Sequence, residues 1–369
     1  MGRKALLQSE EASLSRAVIH LVNPLWAAAG SEWRTVELYR LLCEHAGVKV
    51  WSAYDAHPQM RALLPIERIA PARLCFPRGG TLVFVGVYYR YGRWVHLSGA
   101  ARRIIVYNSP HPHILRRRVR KLRSFGRKKV EVAFASRWLR EESGLDGPVQ
   151  ISPVDLHRFA PRARPRAGGP FTVGRLSRSQ PEKHNARDPA LYRRLVEEGM
   201  AVRVMGGECL RDKGPLDPRV QVLPEGAEDP VRFLTGLDCF FYRTEDGWRE
   251  PHGRVVQEAM ACGLPVLCGR SGGMAEYIVH GENGFLFESD GEAVEILESL
   301  RRRPELSERV GRAARATMER VFSPEALSAL VDFYLRPAVS GPGADGAASP
   351  EKRRPDFLRS ERSAGEGSS

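Results

Sequence analysis

The most informative part of the sequence is residues 250–266, which read EPHGRVVQEAMACGLPV. Pro251 and Gly253 suit the start of a helix, and the apolar residues that follow cover most of its circumference, which predicts a buried helix. Gly263 suits the left-handed position that ends a helix, and the apolar residues after it begin a strand. A loop, a buried helix and a turn into a strand are typical of an α/β protein.

Two carboxylates lie in this stretch, Glu250 in the loop and Glu258 eight positions later inside the apolar helix. A carboxylate in a buried helix is costly unless a partner hydrogen-bonds it. On one continuous helix the two would be about 12 Å apart, beyond the ~5–9.5 Å between the paired carboxyls of glycosidases. With Glu250 in a loop, the pair could instead hold two parts of one long polar ligand. The alternative is that Glu250 is an acid on the protein surface before the helix and that Glu258 is held by a salt bridge within it.

The length and composition favour a soluble protein of two domains. The chain has 369 residues, of which 42% are hydrophobic and 27% are charged, enough for two separate cores. No run approaches the ~20 apolar residues of a membrane span. Residues 1–15 lack the apolar core of a signal peptide, so we expect cytoplasmic residence.

Strand and helix patterns alternate along the chain, which predicts two Rossmann-like, doubly wound units with parallel sheets. We assign residues 16–152 to the first unit and residues 170–336 to the second. Residues 153–169, rich in Pro, Gly and Arg, are interpreted as a linker. Residues 1–15 and 337–369 are predicted to be disordered, because they offer few apolar residues to bury.

The first strand, residues 17–22, is followed by a loop of small residues that ends at Gly30. A helix is predicted over residues 31–45, with Ser31 as its candidate N-cap. This order of elements presents backbone N–H groups to a phosphate, and Gly30 is the candidate contact. An ordinary strand-to-helix turn is the alternative.

Residues 250–266 resemble the E-x7-E segment of retaining glycosyltransferases of the GT-B fold, family 4, also called glycosyl transferases group 1. The resemblance implies that Glu250 holds hydroxyls of the donor sugar and that Glu258 holds the ribose of the nucleotide. It also implies an active site in a cleft, with the first unit on the acceptor side and the second unit binding the nucleotide-sugar. The resemblance covers residues 150–335 and, less closely, residues 16–150.

Basic residues follow the first strand of the second unit, where the sequence reads GRLSRSQPEKH over residues 174–184. Ligands of α/β sheets bind at this end of the strands. The segment resembles the family's G-R-L…K segment, which implies that Arg175 and Lys183 neutralise the donor diphosphate, with Arg178 as a substitute. Fixed cations are needed there because negative charge grows on the diphosphate as the glycosidic bond breaks. A solvated basic loop is the alternative.

Two further sites are implied by the resemblance. Gly272 and Gly273 precede a short predicted helix and match the family's G-G-x-x-E site near the sugar and phosphates, with Glu276 interpreted as capping or structural. After the fourth strand, the sequence leaves the register open among Asn108, His111 and His113. His111 is the candidate catalytic residue near the reacting carbon.

Residues 115–129, LRRRVRKLRSFGRKK, hold nine basic residues and no acid. Leu115, Val119 and Leu122 recur at helical spacing, which predicts a short amphipathic basic helix. Such helices bind anionic membrane surfaces. We therefore interpret the segment as one that docks the protein peripherally on the inner face of the membrane. A solvated basic face is the alternative. The candidate membrane- and acceptor-surface residues are Arg116, Arg117, Arg118, Arg120 and Lys121.

The resemblance therefore implies a retaining, hexosyltransferase-type enzyme that moves a sugar from a nucleotide-sugar to a glycan or lipid-linked acceptor, in cell-envelope or polysaccharide synthesis. The nucleotide-sugar is a co-substrate, and no other cofactor is expected. No essential metal is expected either, since no Asp-x-Asp or His/Cys set is present. A nucleic acid partner is also not expected. One alternative is a nucleotide-sugar epimerase or phosphorylase of the same fold. Another is a non-enzymatic basic protein that binds membranes or nucleic acid.

Overall fold

The computed structural model describes residues 18–124, 130–161 and 169–337. The predicted disordered segments 1–15 and 337–369 lie outside these ranges, except for Pro337, as do residues 162–168 of the predicted linker. None of the helices in the described ranges combines the length and the apolarity needed to cross a bilayer.

The first unit contains six strands and the helices that connect them. Its elements are β1 (Val18–Val22), α1 (Gly30–Cys43), β2 (Gly47–Ser52), α2 (Pro58–Leu63), β3 (Ile66–Arg68), β4 (Thr81–Val85), β5 (Arg102–Tyr107), α3 (Pro112–Arg123), β6 (Val130–Phe134) and α4 (Arg137–Ser143).

The second unit repeats this alternation. Its elements are β7 (Thr172–Leu176), α5 (Asp188–Glu197), β8 (Ala201–Met205), β9 (Gln221–Leu223), α6 (Pro230–Thr235), β10 (Cys239–Tyr242), α7 (Arg254–Ala261), β11 (Val266–Gly269), β12 (Phe285–Phe287), α8 (Asp290–Arg302), α9 (Pro304–Val321) and α10 (Pro324–Leu335).

Each unit has one six-stranded sheet, with strand orders β3-β2-β1-β4-β5-β6 and β12-β11-β10-β7-β8-β9. Neighbouring strands are parallel, and the register places Val22 opposite Trp51 on one side and Phe84 on the other. Parallel strands require crossover connections, which is why helices alternate with the strands. The loops at the carboxyl ends of the strands therefore meet along one edge of each sheet. The predicted pair of doubly wound units is confirmed.

Both faces of each sheet are buried, as expected for parallel sheets covered by helices. In β5, Ile104 and Val106 belong to the core on one face of the first sheet, while Ile105 and Tyr107 belong to the core on the other. This alternation follows from the two-residue period of a strand. It explains why β5 reads as an uninterrupted apolar run after Arg103.

Some local predictions differ from the structure. Helix α1 begins at Gly30 with Ala29 as its N-cap, so the N-cap prediction for Ser31 was wrong. The Ser31 hydroxyl instead donates to Glu32 Oε2 at 2.8 Å. Strand β3 has only three residues at the edge of the sheet, which is too short for a recognisable alternation. The end of the buried helix was predicted correctly, since Gly263 follows α7 with a φ of +70°.

Helix α10 packs on the first unit, although the sequence analysis grouped it with the second. Val331, Phe333 and Tyr334 are part of the core beneath the first sheet. The Tyr334 hydroxyl donates to Gln150 Oε1 at 2.9 Å, and Arg102 Nη1 donates to the Phe333 carbonyl at 2.6 Å. The helical pattern of residues 324–335 carries no information on which core the apolar face of the helix joins.

Candidate active site

A cleft of about 1040 Å³ separates the two units at the carboxyl ends of their strands. The first unit contributes the loops after β1, β2, β4, β5 and β6, and the second unit contributes the loops after β7, β9 and β10 together with the start of α7. This volume is at the upper end of the range for small-molecule sites, ~300–1000 Å³. Of the predicted residues, Gly30, Arg178, Lys183, Glu250 and Glu258 line the cleft.

Glu250 lies in the loop before α7 and is nearly inaccessible to solvent. Its Oε2 accepts hydrogen bonds from Lys183 Nζ at 2.5 Å and from the Tyr242 hydroxyl at 2.7 Å. Burial acts to raise the pKa of Glu250, but the Lys183 ammonium and these two hydrogen bonds outweigh burial and hold the pKa below its ordinary value. Glu250 is therefore an ionised carboxylate at neutral pH.

Glu258 lies on α7, one turn inside the helix, and it also lines the cleft. Arg254 Nε donates to Glu258 Oε1 at 2.8 Å. Burial raises the pKa of Glu258, and the Arg254 charge offsets only part of that rise. Arg254 also donates to the Pro153 carbonyl at 2.8 Å and lies 3.5 Å from Glu37 of the first unit. The helix that carries Glu258 is thereby tied to both units.

Arg175 is placed differently from the prediction. It is 1% exposed and lies beneath the loop that carries Lys183. Its Nη1 donates to the Arg243 carbonyl at 2.5 Å and its Nη2 donates to the Lys183 carbonyl. The guanidinium also stacks on the ring of Tyr242, 4.6 Å from the ring centroid. Arg175 therefore supports the cleft loop from inside the protein, and of the basic residues predicted for the diphosphate, Lys183 and Arg178 line the cleft.

Gly272 and Gly273 approach the Glu250 loop closely, and neither is among the residues that line the cleft. The N–H of Gly273 donates to the Glu250 carbonyl at 2.8 Å. A Cβ at Gly273 would lie 2.4 Å from the Pro251 carbonyl oxygen, and one at Gly272, where φ is +115°, would lie 3.0 Å from that of Glu250. The predicted anion contact is wrong for Gly273, because its N–H already has a partner.

Gly30, by contrast, is exposed at the first position of α1 and faces the cleft. No atom lies within 4 Å of the position that a Cβ would take there. The start of this helix is therefore open to a ligand.

Glu276 caps a helix of the other unit. Its Oε2 accepts from the Arg137 N–H at 2.8 Å and its Oε1 accepts from the Trp138 N–H at 2.9 Å. These are free N–H groups at the start of α4, which a carboxylate satisfies well. The interpretation of Glu276 as a capping residue is confirmed, with the addition that the cap joins the two units.

The register after β5 is also resolved by the structure. Asn108, Ser109 and Pro110 line the cleft, whereas His111 and His113 lie beyond it. The His111 N–H donates to the Tyr107 hydroxyl, and its ring contacts Tyr88 edge to face with centroids 5.2 Å apart. His111 therefore supports a cleft residue from outside the cleft lining, and its catalytic role stays a prediction.

His252 is a cleft residue that the sequence analysis missed, although it lies in the stretch quoted first. Its Nε2 accepts from the Ser152 N–H at 3.3 Å. Burial, followed by the charges of Arg34 and Arg254, lowers the pKa of His252 to about 3, so the imidazole is neutral. The available signal was the position of this histidine, directly before Gly253 and between Glu250 and Glu258.

Helix α3 is amphipathic and basic, as predicted, but its apolar stripe faces the protein. Leu115, Val119 and Leu122 are buried in the core of the first unit. The stripe therefore cannot insert into a membrane. Arg116 donates to the Ser143 carbonyl and Arg118 to the Val87 carbonyl. The remaining candidates, Arg117, Arg120 and Lys121, are exposed, and residues 125–129 of the basic run lie outside the described ranges.

Within the described residues, no cluster of three or more His, Cys, Asp or Glu side chains is placed to hold a metal ion.

Comparison with solved structures defines the class of protein. The chain is similar to Anabaena Alr3699/HepE in complex with UDP-glucose, with a TM-score of 0.65 at 18% identity, over 86% of this chain and 99% of that one. It is also similar to sucrose-phosphate synthase from Thermosynechococcus elongatus, with a TM-score of 0.61 at 14% identity, over 86% of this chain and 98% of that one. The two parallel sheets and the cleft between them form the GT-B fold.

Sequence comparison then shows which family the second unit resembles. Residues 206–317 match the family Glycosyl transferases group 1. The D-inositol 3-phosphate glycosyltransferase of Saccharomonospora viridis is 31% identical over 227 residues, 52% of this chain and 51% of that protein. The capsular polysaccharide biosynthesis glycosyltransferase CapM of Staphylococcus aureus is 27% identical over 182 residues, 45% of this chain and 47% of that protein. The chain thus spans about half the length of these two relatives. It is a protein of the GT-B fold, and the match to glycosyl transferases group 1 lies within its second unit.

Proposed function

We propose that this protein is a retaining glycosyltransferase that moves a sugar from a nucleotide-sugar to a glycan or lipid-linked acceptor. The observation that carries the proposal is the set of charged groups on one wall of the cleft. The ionised Glu250 lies beside Lys183, and Glu258 lies on the adjoining helix. Two carboxylates and a cation on one wall of the cleft are the groups needed to hold the sugar, the phosphates and the ribose of one extended ligand.

Glu250 is suited to hold the donor sugar. Among the described residues, both of its side-chain hydrogen bonds reach Oε2, which leaves Oε1 to accept from a sugar hydroxyl. The hydrogen bonds from Lys183 and Tyr242 also fix the carboxylate in one orientation. A hydroxyl of the bound sugar can therefore donate to an oxygen that is already in place.

Lys183 and Arg178 are suited to the diphosphate. Both line the cleft on the loop after β7, facing the open start of α1 at Gly30. Cations and helix N–H groups that are fixed before the reaction stabilise the charge that develops on the leaving diphosphate. These groups act without a metal in this proposal.

Retention by same-face attack, with the leaving phosphate as the base, is favoured by the state of Glu250. Its lowered pKa and its two hydrogen bonds make it a weak base and a poor nucleophile. Glu250 would then orient the sugar, while the departing phosphate oxygen takes the proton of the acceptor hydroxyl.

A thermal-shift screen of nucleotide-sugars, beginning with UDP-glucose, tests the donor. A donor that binds the folded state alone raises the unfolding temperature. The donor found is then incubated with glycan acceptors, and the anomeric configuration of the product is read by proton NMR. We expect retained configuration and loss of transfer in Glu250→Gln. Leu97→Ala serves as a control, since Leu97 is exposed and lies outside the cleft lining.

Other outcomes of the same experiment would replace the proposal. Turnover that needs inorganic phosphate and no acceptor would indicate a phosphorylase, and a changed sugar on the nucleotide would indicate an epimerase. If no nucleotide-sugar raised the unfolding temperature, the proposal would fail, and a non-enzymatic binding protein would be the better explanation.

Glu258→Gln tests the ribose role separately. We expect affinity for the nucleoside diphosphate to fall by roughly 1.5–3 kcal/mol, because a charge-assisted hydrogen bond is lost. Calorimetric titration measures the affinity. Glu258 also pairs with Arg254, so the free energy of unfolding of the variant is measured alongside. Unchanged affinity in a folded variant would remove Glu258 from the donor site.

A further inference from the structure

The wall of the cleft that belongs to the first unit carries two half-exposed aromatic rings. Trp26 lies in the loop after β1 and is 50% exposed, and Tyr88 lies in the loop after β4 and is 51% exposed. Both line the cleft. Large rings are normally buried, and apolar surface left open in a cleft marks a place where a ligand binds.

Each ring is held in place by a second ring behind it. Trp26 packs edge to face on Tyr54, with centroids 5.1 Å apart, and Tyr88 packs edge to face on His111, with centroids 5.2 Å apart. Such contacts fix the orientation of a ring while leaving much of its surface accessible. Trp26 and Tyr88 are therefore preorganised surfaces rather than loose side chains.

The polar groups on the same wall are mainly neutral. They include Gln59, Asn108 and Ser109. Among the described residues of the first unit that line the cleft, Arg34 carries the only guanidinium or ammonium group. It is buried and donates to the Gln150 carbonyl. Arg158 of the linker, which lies over Trp33, is paired with Asp229. The nearby carboxyl group of Glu32 adds an acid to this wall.

We infer that this wall binds the acceptor as a neutral carbohydrate, which stacks its C–H faces on Trp26 and Tyr88 and bonds through its hydroxyls to the neutral polar groups. The inference rests on the proposed function, because it assigns the donor to the wall of the second unit and to the start of α1 at Gly30. A pyranose ring offers a flat array of C–H groups on one face and hydroxyls around its edge, which matches aromatic surfaces beside amide and hydroxyl groups. A phosphorylated or carboxylated small acceptor would require an accessible cation on this wall.

Saturation-transfer NMR provides the test, with and without UDP. The probes are the neutral disaccharides maltose, cellobiose and α-1,2-mannobiose, and the anions myo-inositol 1-phosphate and L-malate. We expect a neutral disaccharide to bind and the two anions not to bind. Trp26→Ala and Tyr88→Ala should each weaken that binding by about tenfold, because stacking area is lost. Trp26→Phe and Tyr88→Phe keep a ring and should retain most of the affinity, and Leu97→Ala should retain all of it.

Affinity for UDP, measured by calorimetry, separates this inference from the proposed function. It should be the same in all five variants. A loss of UDP affinity in the alanine variants would show that the rings hold the nucleotide base, which would overturn the inference. Binding of the anions alone, or of none of the probes, would also overturn it. If the wild-type protein bound no UDP and no nucleotide-sugar but still bound a disaccharide through these rings, the proposed donor site would fail and the carbohydrate wall would stand.

Discussion

Arg175 is a residue whose function depends on where its side chain points. Its guanidinium bonds to the carbonyls of Lys183 and Arg243, so it fixes the backbone of the loop that presents Lys183 to the cleft. A planar fork can bridge two carbonyls at once, whereas the single ammonium of a lysine cannot take the same geometry.

We therefore expect Arg175→Lys to lower the free energy of unfolding by about 1–3 kcal/mol, since a buried carbonyl loses its donor. Urea denaturation measures the change. Transfer should fall as well, because Lys183 is no longer fixed. The comparison variant is Arg178→Lys, which keeps a cation at the cleft surface and should leave stability unchanged. Full stability in Arg175→Lys would instead favour a simple charge role for this residue.

His184 and His252 are buried histidines on either side of the donor wall. Burial and then the Arg175 charge lower the pKa of His184 to about 3, and burial with Arg34 and Arg254 has the same effect on His252. Each folded pKa lies below the ordinary value of 6.5. Between pH 6.5 and 3 the unfolded chain therefore binds more protons than the folded protein at these two positions.

The free energy of unfolding should consequently fall as the pH falls below 6.5, by at most about 1.4 kcal/mol per pH unit for each histidine. Denaturant titrations from pH 8 to 5 measure this slope. His184→Gln removes one titrating group, so its slope should be shallower than that of the wild type, whatever its absolute stability. An equal slope in the variant would mean that His184 is protonated in the folded protein.

At the scale of elements, α3 shows how one pattern suits two environments. Its apolar stripe packs into the first unit, so any attraction to a membrane must come from exposed cations alone. Arg117, Arg120 and Lys121 are exposed on this helix. Attraction of this kind is screened by salt and involves no insertion.

We expect wild-type protein to co-sediment with anionic vesicles at low salt and to be released at 1 M salt, where the Debye length is only ~3 Å. Replacing Arg117, Arg120 and Lys121 with Gln should abolish the binding. A matched control replaces Arg270, Arg302 and Arg312, which are exposed on the second unit, and changes the net charge equally. Equal pelleting of the two triple variants, or no pelleting of the wild type, would leave α3 as a solvated basic face.

At the scale of the whole molecule, contacts on one side of the cleft hold the two units together. Glu276 of the second unit caps α4 of the first. Arg249, which precedes Glu250, lies over the ring of Trp138 on α4 at 4.5 Å from its centroid. A donor-wall loop and a helix of the first unit are therefore in direct contact, so opening of the cleft would displace the residues next to Glu250.

Glu276→Ala removes this cap and should favour a more open arrangement. The cap contributes about 0.5–2 kcal/mol. Small-angle scattering should show a larger radius of gyration without donor, and donor affinity should fall with the fraction of closed molecules. Glu288→Gln, a change at an exposed acid of the second unit, is the control. If the radius and the affinity both stayed the same, Glu276 would be only a helix cap.

Much of the fold was predictable because it is written in local periodicity. The cleft positions of Glu250 and Glu258 followed from the family resemblance, whereas the alternation of strands and helices predicted the two parallel sheets and residues 250–266 predicted the buried helix. These features depend on residues a few positions apart, where a period of two or 3.6 residues determines which face is apolar.

Only the tertiary structure decided which partner each face or charged group meets. The apolar stripe of α3 suits a membrane and a protein core equally well, and the apolar face of α10 could join either unit. Arg175 and Gly273 lie in the segments that the sequence singled out, yet their polar groups bond to backbone carbonyls instead of facing the cleft. The physical reason is that hydrogen bonds and core contacts between residues far apart in the chain depend on three-dimensional packing, which local spacing does not encode.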